Sequence, residues 1–585
     1  MSQTQAIKQT IIDKTTNITG AEALLRSLVA EGVDTVFGYP GGAILPVYNA
    51  LYDFKDLRHI LVRHEQGAMH AAQGYARATG RVGTVIVTSG PGAANCVTGL
   101  SDAMMDSTPI VLITGQVGAR YLGSDAFQET DVVAVTQPIT KWAYQVRRAA
   151  DLPEAVAKAY YIASTGRPGP VVLDIAKDAQ VGMVENYCHR HVNFIRSYNP
   201  EPETSPAAIA EAAQLINSAS KPMIIAGGGV TGAGADALLQ SLAEKAEIPV
   251  AATLMGMSAM PADHTLFMGM AGMHGAVGVN VATNRADVII AIGMRFDDRV
   301  TGNTATYAPQ AKIIHIDIDR SEFNKTVAVD VAIHGDAAKV LEALLPQVKP
   351  ASHSEWLRLF AECHQAEDAE VYSRELRRSG SEPMTMGEVA DKISATAPKG
   401  TIAVTDVGQN QMMTARYFRC SAPRSLITSG GLGTMGFGLP AAMGAAVGAP
   451  DRTVCYFGGD GGFQMTIQEL GTIMQYNIPV KMIVFNNSFL GNVRQWQQLF
   501  FNGRFSQTPL LNPDFVAIAA AYNIAAERVA DRPDLQAAIK RMLDHDGPYL
   551  LDIAIDPTDM VFPMTPAGRD VDFIMLTPDT TYSHD

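Results

Sequence analysis

The chain has 585 residues, which is long for one hydrophobic core and predicts three or four domains. Its composition, 47% hydrophobic and 18% charged, is ordinary for a soluble enzyme, and its formal net charge of −14 disfavours nucleic acid as a partner. The chain contains no uninterrupted apolar run of bilayer length, which argues against a membrane protein.

Residues 1–18 are polar, contain Asp13, and have neither an apolar core nor an arginine-rich face. We therefore expect a short disordered arm rather than a signal or transit peptide. The five cysteines are scattered without a Cys-x-x-Cys pair, which favours a reducing compartment such as the cytoplasm and argues against structural zinc.

One module recurs three times along the chain: a glycine turn, a helix, and a proline that introduces an apolar strand. The three copies are Ser89–Gly92 with Thr108–Thr114, Gly227–Gly229 with Ile248–Thr253, and Gly459–Gly461 with Ile478–Val480. Strands that alternate with helices form parallel sheets with crossover helices. The sequence therefore predicts an α/β fold of three doubly wound parallel-sheet domains.

Polar links and weakly periodic segments set the predicted domain boundaries. After the arm at 1–18, the predicted segments are an N-terminal domain at 19–192, a central domain at 207–348, a C-terminal domain at 384–557 and a tail at 558–585.

In the N-terminal domain, Glu65 lies between an apolar strand and a helix rich in alanine and glycine. A glutamate at a helix start is commonly a solvated residue that the macrodipole stabilises. Small neighbours can instead leave Glu65 in an apolar setting, where it would exchange protons near neutral pH.

In the central domain, the strand Pro222–Ala226 leads into Gly227-x-Gly229-x-x-Gly232, which matches a dinucleotide fingerprint. A nicotinamide site also requires an acid at the end of the following strand, and Pro249–Thr253 supplies none. The charged segments Gly293–Arg299 and Ile313–Asp319 are typical of solvated loops or of a ligand site.

In the C-terminal domain, Asp460 follows one apolar strand on a glycine turn and Asn487 follows the next strand. Both side chains are therefore expected at the carboxyl ends of neighbouring parallel strands. Carboxylate and amide oxygens suit Mg²⁺, and Gly461 and Gly462 allow a diphosphate to approach the backbone. A lone Gly-Asp-Gly is more often a tight turn, but here two strands carry the two oxygens.

This spacing resembles the thiamin diphosphate motif. Phe37–Gly42, Ser89–Gly92, Gly115–Arg120 and Phe127–Glu129 narrow the resemblance to the acetohydroxyacid synthase (acetolactate synthase) family, from about residue 19 to about residue 567.

The resemblance implies roles at the cofactor. Mg²⁺ would be held by Asp460, Asn487 and a backbone carbonyl near Phe489, while Glu65 would activate the aminopyrimidine ring of thiamin diphosphate. Met435 would bend the cofactor. Its diphosphate would contact Gly408, Gln409, Asn410, Gly461 and Gly462.

The resemblance also implies substrate and flavin contacts. Pyruvate and its acceptor would meet Phe127, Gln128, Lys177, Arg299 and Trp496, and the tail would close over the site. A structural FAD would contact Arg167, Gly227, Gly228, Gly229, Thr253, Leu254, Met273, His274, Arg295, Asp317, Ile318 and Asp336.

The implied activity is decarboxylation of pyruvate and transfer of the remaining two-carbon unit to pyruvate or 2-ketobutyrate, in the biosynthesis of branched-chain amino acids. The family works as a homodimer or a dimer of dimers whose active site uses two subunits, often with a small regulatory subunit.

Four alternatives remain open at this point. Glyoxylate carboligase is disfavoured because it lacks the glutamate that Glu65 matches, and pyruvate oxidase would need a redox-active flavin. A non-catalytic paralogue is disfavoured by the intact Glu65, Asp460 and Asn487. A nicotinamide dehydrogenase would have to bind that nucleotide.

Overall fold

A computed structural model describes residues 17–378, 380 and 382–583. The predicted arm therefore lies, for residues 1–16, outside the described residues. The described residues divide into two compact units, one from residues 17–72 with 82–198 and the other from residues 73–81 with the described part of 199–583. None of the described helices is long and apolar enough to cross a membrane.

The first unit contains a six-stranded parallel sheet, the N-terminal sheet, in the strand order β3-β2-β4-β5-β7-β6. Its strands are β2 Thr35–Gly38, β3 Arg58–Leu61, β4 Gly83–Val87, β5 Ile110–Gln116, β6 Trp142–Val146 and β7 Pro170–Ala176, and a separate antiparallel pair is β1 Ile18–Thr19 with β8 Met183–Val184. The helices of this region are α1 Gly20–Ala30, α2 Leu45–Asp53, α3 Glu65–Thr79, α4 Pro91–Ala94, α5 Val97–Met105, α6 Val132–Thr136, α7 Leu152–Ser164 and α8 Lys177–Val181.

The second unit contains two further six-stranded parallel sheets. The central sheet has the order β11-β10-β9-β12-β13-β14. Its strands are β9 Pro222–Ala226, β10 Val250–Ala252, β11 Phe267–Met270, β12 Val288–Ile292, β13 Lys312–Asp317 and β14 Val331–His334. Its helices are α9 Pro206–Ser218, α10 Gly228–Gly232, α11 Asp236–Ala246, α12 Val277–Thr283, α13 Asp298–Thr301 and α14 Ala337–Leu344.

The C-terminal sheet has the order β16-β15-β17-β18-β20-β19. Its strands are β15 Ile402–Thr405, β16 Leu426–Ile427, β17 Val454–Gly459, β18 Val480–Asn486, β19 Ala525–Val529 and β20 Tyr549–Ala554. The helices are α15 Ser354–Glu367, α16 Ser373–Leu376, α17 Met386–Thr396, α18 Gln409–Tyr417, α19 Gly438–Gly448, α20 Asp460–Met465, α21 Leu470–Tyr476, α22 Gly491–Phe500, α23 Phe515–Ala521 and α24 Arg532–Asp544, with one π-helical turn at Asp368–Tyr372.

The predicted fold class, three doubly wound parallel sheets, is confirmed. Each six-stranded sheet lies inside one of the predicted domain ranges, whereas β1 begins at Ile18, within the predicted arm, and the exact boundaries stay predictions. The inner strands contain continuous apolar runs, such as Val288–Ile292 and residues 482–485 of β18, because helices cover both faces of a parallel sheet.

In every six-stranded sheet the order in which strands are added changes direction beside the first strand. This switch point lies between β2 and β4, between β9 and β12, and between β15 and β17. Such a reversal opens a crevice at the carboxyl ends of the strands, where α/β proteins bind ligands. The fold therefore supplies three candidate crevices. The last of them lies where the sequence predicts the metal site.

Candidate active site

A cleft opens at the carboxyl ends of β15, β17 and β18, beside the reversal point of the C-terminal sheet. We call it the C-terminal cleft. It is lined by Met386, Val407, Gly408, Gln409, Asn410, Met435, Gly459, Asp460, Gly461, Gly462, Asn487, Phe489, Leu490, Gly491, Asn492 and Val493. The structure thus brings together every residue that the sequence predicted for the metal and the diphosphate.

Asp460 is the buried carboxylate of the cleft. Its Oδ1 accepts a hydrogen bond from the Gly461 amide at 2.8 Å, and its Oδ2 accepts from the Ser488 amide and from Asn512 Nδ2, both at 2.7 Å. Burial nevertheless raises the pKa of Asp460, because a desolvated carboxylate is less stable as an anion. A bound cation would oppose that shift.

Asn487 is the second predicted metal ligand, and it lies at the end of β18. Its Oδ1 accepts from the Phe489 amide at 3.1 Å, which aims the side chain into the turn that follows the strand. Asn512 joins the two strand ends, since its Nδ2 also donates to Asn486 Oδ1 at 2.9 Å. The sequence analysis missed Asn512 because it lies in a loop with no periodic pattern.

Asp406 lies beneath the cleft and has a structural role that the sequence did not reveal. Its buried carboxylate accepts hydrogen bonds from the amides of Val407, Gly436 and Gly438 at 2.8 to 3.2 Å. Burial raises the pKa of Asp406, while these three amides oppose the rise. Asp406 therefore fixes the turn that carries Met435.

Helix α18 begins at Gln409 directly at the cleft, so its amino-terminal end, with Gln409 and Asn410, borders the space where an anion would bind. Gly408 precedes it with φ 139°, a conformation that favours glycine. Gln409 Nε2 donates to Gln495 Oε1 at 3.0 Å and to the Asp559 carbonyl at 2.9 Å. Asn410 Nδ2 donates to the Phe457 carbonyl at 3.1 Å. These bonds hold the start of the helix in place.

In the first unit, Glu65 begins α3 and is half-buried. Its Oε2 accepts a hydrogen bond from Asn95 Nδ2 at 2.9 Å. A Cβ added at Gly92 would lie 3.3 Å from Glu65 Oε1, so the glycine turn after β4 passes close to this carboxylate. Glu65 is therefore held by a partner and is not a fully solvated first-turn residue.

Comparisons with known proteins agree with this geometry. The chain matches three family models: the thiamine pyrophosphate enzyme N-terminal TPP binding domain over residues 18–135, the central domain over 209–344 and the C-terminal TPP binding domain over 406–553. It is 46% identical over 557 residues to a probable acetolactate synthase large subunit from Methanocaldococcus jannaschii, covering 94% of each chain. It is 44% identical to the acetolactate synthase isozyme 2 large subunit of Escherichia coli, covering 94% of this chain and 98% of the relative.

The chain belongs to the acetolactate synthase large-subunit family. This confirms the resemblance that the sequence motifs indicated. Thiamine pyrophosphate is thiamin diphosphate, and the two matched TPP binding domains contain Glu65 and Asp460 respectively.

The remaining substrate candidates of the family in the first unit lie on loops or, for Lys177, at the start of a helix. Phe127 is 88% exposed in the single chain, so it does not belong to the hydrophobic core. Gln128 adopts a φ of 58° next to the glycine turn after β4, where a Cβ on Gly90 would lie 2.7 Å from its carbonyl oxygen. Lys177 begins α8 directly after β7. Their roles at a substrate stay predictions.

In the second unit, Arg299 borders a small pocket that the tail helps to form. The pocket is lined by Gly272, Met273, Asp298, Arg299, Val300, Gly302, Thr565, Pro566, Ala567 and Val571. The Thr565 amide donates to the Met273 carbonyl, and the Met273 amide donates to the Arg299 carbonyl, both at 2.7 Å. The Arg299 side chain is 58% exposed and lies 3.5 Å from Asp298.

Trp496 is half-buried on α22 and packs on Phe500 with ring centroids 5.2 Å apart.

The predicted flavin residues of the central domain mostly follow strands of the central sheet at their carboxyl ends. Gly227 and Thr253 follow β9 and β10, and Arg295 and Asp317 lie at the ends of β12 and β13. Leu254 follows Thr253, Ile318 follows Asp317, and Met273 and His274 lie after β11. Burial lowers the pKa of His274 to about 4, so this imidazole is neutral at physiological pH.

Several of these residues already have structural partners. The Gly229 amide donates to the Gly293 carbonyl at 3.0 Å, and Asp336 caps α14 by accepting from the Ala338 and Lys339 amides. Asp317 Oδ1 accepts from the Asp319 amide at 2.8 Å. Arg295 lies 3.6 Å from Asp297, and Arg167 Nε in the first unit donates to Ser107 Oγ at 2.8 Å. The Gly228 backbone packs near Met255.

Proposed function

We propose that the chain decarboxylates pyruvate and joins the two-carbon product to a second 2-keto acid, using thiamin diphosphate and Mg²⁺ in the C-terminal cleft. The observation that carries the proposal is the convergence of Asp460, Asn487 and the start of α18 on one cleft. It is supported by relatives that are named acetolactate synthases.

The oxygen donors of the cleft fit Mg²⁺. Among the described residues, the Gly461 amide occupies one lone pair of Asp460 Oδ1 and the Phe489 amide occupies one of Asn487 Oδ1. Each oxygen therefore keeps a lone pair for a cation. Phosphate oxygens, water and a backbone carbonyl near Phe489 would complete a six-oxygen shell, which is the coordination that Mg²⁺ prefers.

The cleft also fits a diphosphate. The first turn of α18 directs its amides, and the positive end of its dipole, towards the cleft. Gly461 and Gly462 line this cleft and pack closely on their neighbours, since a Cβ on Gly461 would lie 2.8 Å from Leu490 and one on Gly462 would lie 2.5 Å from Asp406. Gln409 and Asn410 hold the helix start through the bonds described above.

Thiamin diphosphate, when bound, supplies the nucleophilic carbon that attacks the keto group and the ring that accepts the electron pair as carbon dioxide leaves. The protein's residues have supporting tasks. Met435 lies against the glycine turn, with its Cε 3.8 Å from the Cβ position of Gly461, and would set the bend of the cofactor. Glu65 would exchange a proton with the aminopyrimidine ring, and Asn95 orients its carboxylate.

We further propose that Arg299 binds the substrate carboxylate, because its planar guanidinium matches a carboxylate with two parallel hydrogen bonds. Trp496 would narrow the acceptor pocket and favour 2-ketobutyrate. Phe127 and Gln128 on their loop and Lys177 at the start of α8 would contact the substrate, and the tail residues that border Arg299 would close the site.

We propose a structural FAD in the central domain. The strand order of the central sheet, three strands outward on one side and three on the other, is that of dinucleotide-binding sheets. Predicted contacts lie on the carboxyl-end edge of this sheet. The net carboligation involves no redox change, so the flavin would not take part in electron transfer.

The assembly belongs to the same proposal. Several relatives are named large subunits, which supports a small regulatory subunit as a partner of this chain. We propose a homodimer or a dimer of dimers of the catalytic chain, to be checked by light scattering with and without the cofactors.

One assay tests the activity. The purified chain is supplied with pyruvate, thiamin diphosphate, Mg²⁺ and FAD, and acetolactate and carbon dioxide are measured. We expect one carbon dioxide per acetolactate, with 2-aceto-2-hydroxybutyrate as an added product when 2-ketobutyrate is present. Bleaching of the flavin by pyruvate at the rate of turnover would instead support a pyruvate oxidase, and absence of carbon dioxide release with saturating cofactors would support a non-catalytic paralogue.

A further inference from the structure

A cluster of metal-binding side chains lies in the first unit, on residues that have no part in the proposed reaction. Glu31, His189 and His191 place one ligand atom each within 4.8 Å of the others. His189 Nε2 lies 2.6 Å and His191 Nδ1 lies 3.2 Å from the same atom, Glu31 Oε1. We propose that this His189–His191–Glu31 cluster is a zinc site.

The local structure holds the three ligands in place. Glu31 is the C-cap residue that follows α1, where its amide donates to the Ser27 carbonyl at 3.0 Å. The segment that carries the histidines follows β8, which pairs with β1, and it is anchored by the buried Tyr187, whose hydroxyl lies 3.1 Å from Ser27 Oγ. The same helix turn therefore fixes both the carboxylate and the start of the histidine segment.

The charge distribution favours a cation at this position. The carboxyl end of a helix carries a partial negative charge, which disfavours a carboxylate there, and the last turn of α1 contains no basic residue. The His189 side chain is 3% exposed and Glu31 is 12% exposed, so water compensates little of this charge. A divalent ion compensates it without requiring a buried imidazolium.

The donor set and spacing select zinc. Two imidazole nitrogens and one carboxylate oxygen form a ligand set that zinc uses with a fourth, solvent-derived ligand. Ligand atoms around tetrahedral zinc are about 3.3 Å apart, so small shifts of His189 and His191 would admit the ion. The rings are edge to face with centroids 5.4 Å apart, and His191 is 68% exposed, which leaves a side open for water. Mg²⁺ prefers oxygen ligands and would not compete at this site.

The test measures zinc binding by the full-length chain. The protein is stripped with a chelator, reloaded with thiamin diphosphate, FAD and excess Mg²⁺, and dialysed against increasing Zn²⁺, with bound zinc measured by elemental analysis. We expect one tight zinc per wild-type chain. His191→Ala and Glu31→Gln should weaken this binding by at least about 100-fold, since even partners that only contact a ligand contribute 10- to 100-fold.

Matched controls separate this site from other zinc binding. His264 Nε2 lies 3.1 Å from Glu244 Oε1, an imidazole–carboxylate pair without a second histidine, so His264→Ala should retain the tight zinc. Cys188 is an exposed thiol next to His189, and Cys188→Ser should also retain it. Co²⁺ loaded in place of zinc should give visible absorption bands that His191→Ala lacks.

The proposal is overturned if wild type binds no stoichiometric zinc, or if His191→Ala binds zinc as tightly as wild type. It is also overturned if Cys188→Ser removes the tight zinc while His191→Ala retains it. Because His191 is exposed, its replacement should leave the fold intact, and the circular dichroism spectrum of the variant verifies this. Acetolactate formation is not the readout, so the outcome is independent of the proposed function.

Discussion

The central and C-terminal sheets use the same glycine turn for two different purposes. After β17, the turn Gly459–Gly462 opens onto the C-terminal cleft, and Asp460 faces the space where a cation fits. After β9, the turn Gly227–Gly229 packs closely against the backbone that follows β12. A Cβ on Gly227 would lie 2.1 Å from the Gly293 carbonyl oxygen, and one on Gly229 would lie 2.7 Å from Gly293 Cα.

The difference teaches that a glycine pattern does not by itself identify a phosphate site. In the central domain, Gly229 is needed for close packing of α10 against the end of β12, and its amide is bonded to Gly293. In the C-terminal domain, Gly462 also packs closely, since its Cβ would lie 2.5 Å from Asp406, but a carboxylate and an amide oxygen converge beside the glycines. The oxygen ligands beside the turn, and not the glycines of the turn, therefore distinguish the C-terminal site from the central one.

The largest effect is expected from a substitution in the glycine turn of the C-terminal domain. Asp460→Ala removes the carboxylate oxygen that would ligate Mg²⁺, so we expect Mg²⁺-dependent binding of thiamin diphosphate to weaken by more than about 100-fold and acetolactate formation to fall below detection. Isothermal titration with Mg²⁺ and thiamin diphosphate measures the first effect, and a pyruvate assay measures the second.

A buried carboxylate outside the cleft supplies the control. Glu388 is buried and accepts hydrogen bonds from Arg532 Nε at 2.9 Å, so Glu388→Ala should lower thermal stability without a comparable loss of cofactor affinity. Equal losses of affinity in the two variants would mean that Asp460 acts through the fold alone.

The next effect extends the comparison to the third glycine turn, after β4, which lies beside Glu65. Glu65→Gln keeps the shape and an oxygen for Asn95 but cannot exchange a proton as a carboxylate does. We expect kcat to fall by roughly 10²- to 10⁴-fold, the usual contribution of acid–base catalysis, with unchanged thermal unfolding. A variant with wild-type turnover would refute the assignment of Glu65.

The comparison also separates what the sequence could and could not predict. The three sheets and the C-terminal cleft were predictable, because apolar strands of parallel sheets are continuous and oxygen ligands follow them directly. The sequence could not reveal Asn512, which reaches Asp460 from a loop 52 residues along the chain, or the packing of Gly229 on Gly293. Both depend on contacts between segments that no local pattern records.

The same reasoning applies to the proposed zinc site. Cysteine spacing argued against structural zinc, but it carries no information about a carboxylate at a helix end that meets two histidines about 160 residues later. Likewise, Phe127 is an apolar residue of a type common in protein cores, and only the fold shows that it is exposed on a loop.

A smaller effect contrasts two glycines directly. Gly229→Ala places a Cβ against Gly293 Cα, so we expect overpacking to lower the free energy of unfolding by about 1–3 kcal/mol with little change in Mg²⁺-dependent cofactor affinity. Gly461→Ala meets the flexible Leu490 side chain and should do the reverse, weakening cofactor binding with a smaller loss of stability. Chemical denaturation and cofactor titration measure both.

Gly232 provides the matched control for this pair, because, among the described residues, no atom outside its own helix backbone and chain neighbours lies within 4 Å of its Cβ position. Gly232→Ala should therefore leave both stability and cofactor affinity close to wild type. If Gly229→Ala instead weakened Mg²⁺-dependent binding of thiamin diphosphate more than Gly461→Ala did, the diphosphate site would have to be assigned to the turn after β9.

The smallest effect is expected from substitution of Arg299, in the charged segment that follows β12. Arg299→Lys keeps the positive charge but loses the planar fork that pairs with a carboxylate, so we expect kcat/KM for pyruvate to fall about tenfold, mainly through KM. Arg299→Ala should lower kcat/KM for pyruvate about another tenfold, because a hydrogen bond to a charged group contributes roughly 1.5–3 kcal/mol.

Arg295→Lys is the control. Arg295 lies in the same charged segment, beside Asp297, and its substitution should not alter KM for pyruvate. Steady-state kinetics with pyruvate separate the cases: a KM that is unchanged in Arg299→Lys and raised in Arg295→Lys would transfer the carboxylate-binding role to Arg295.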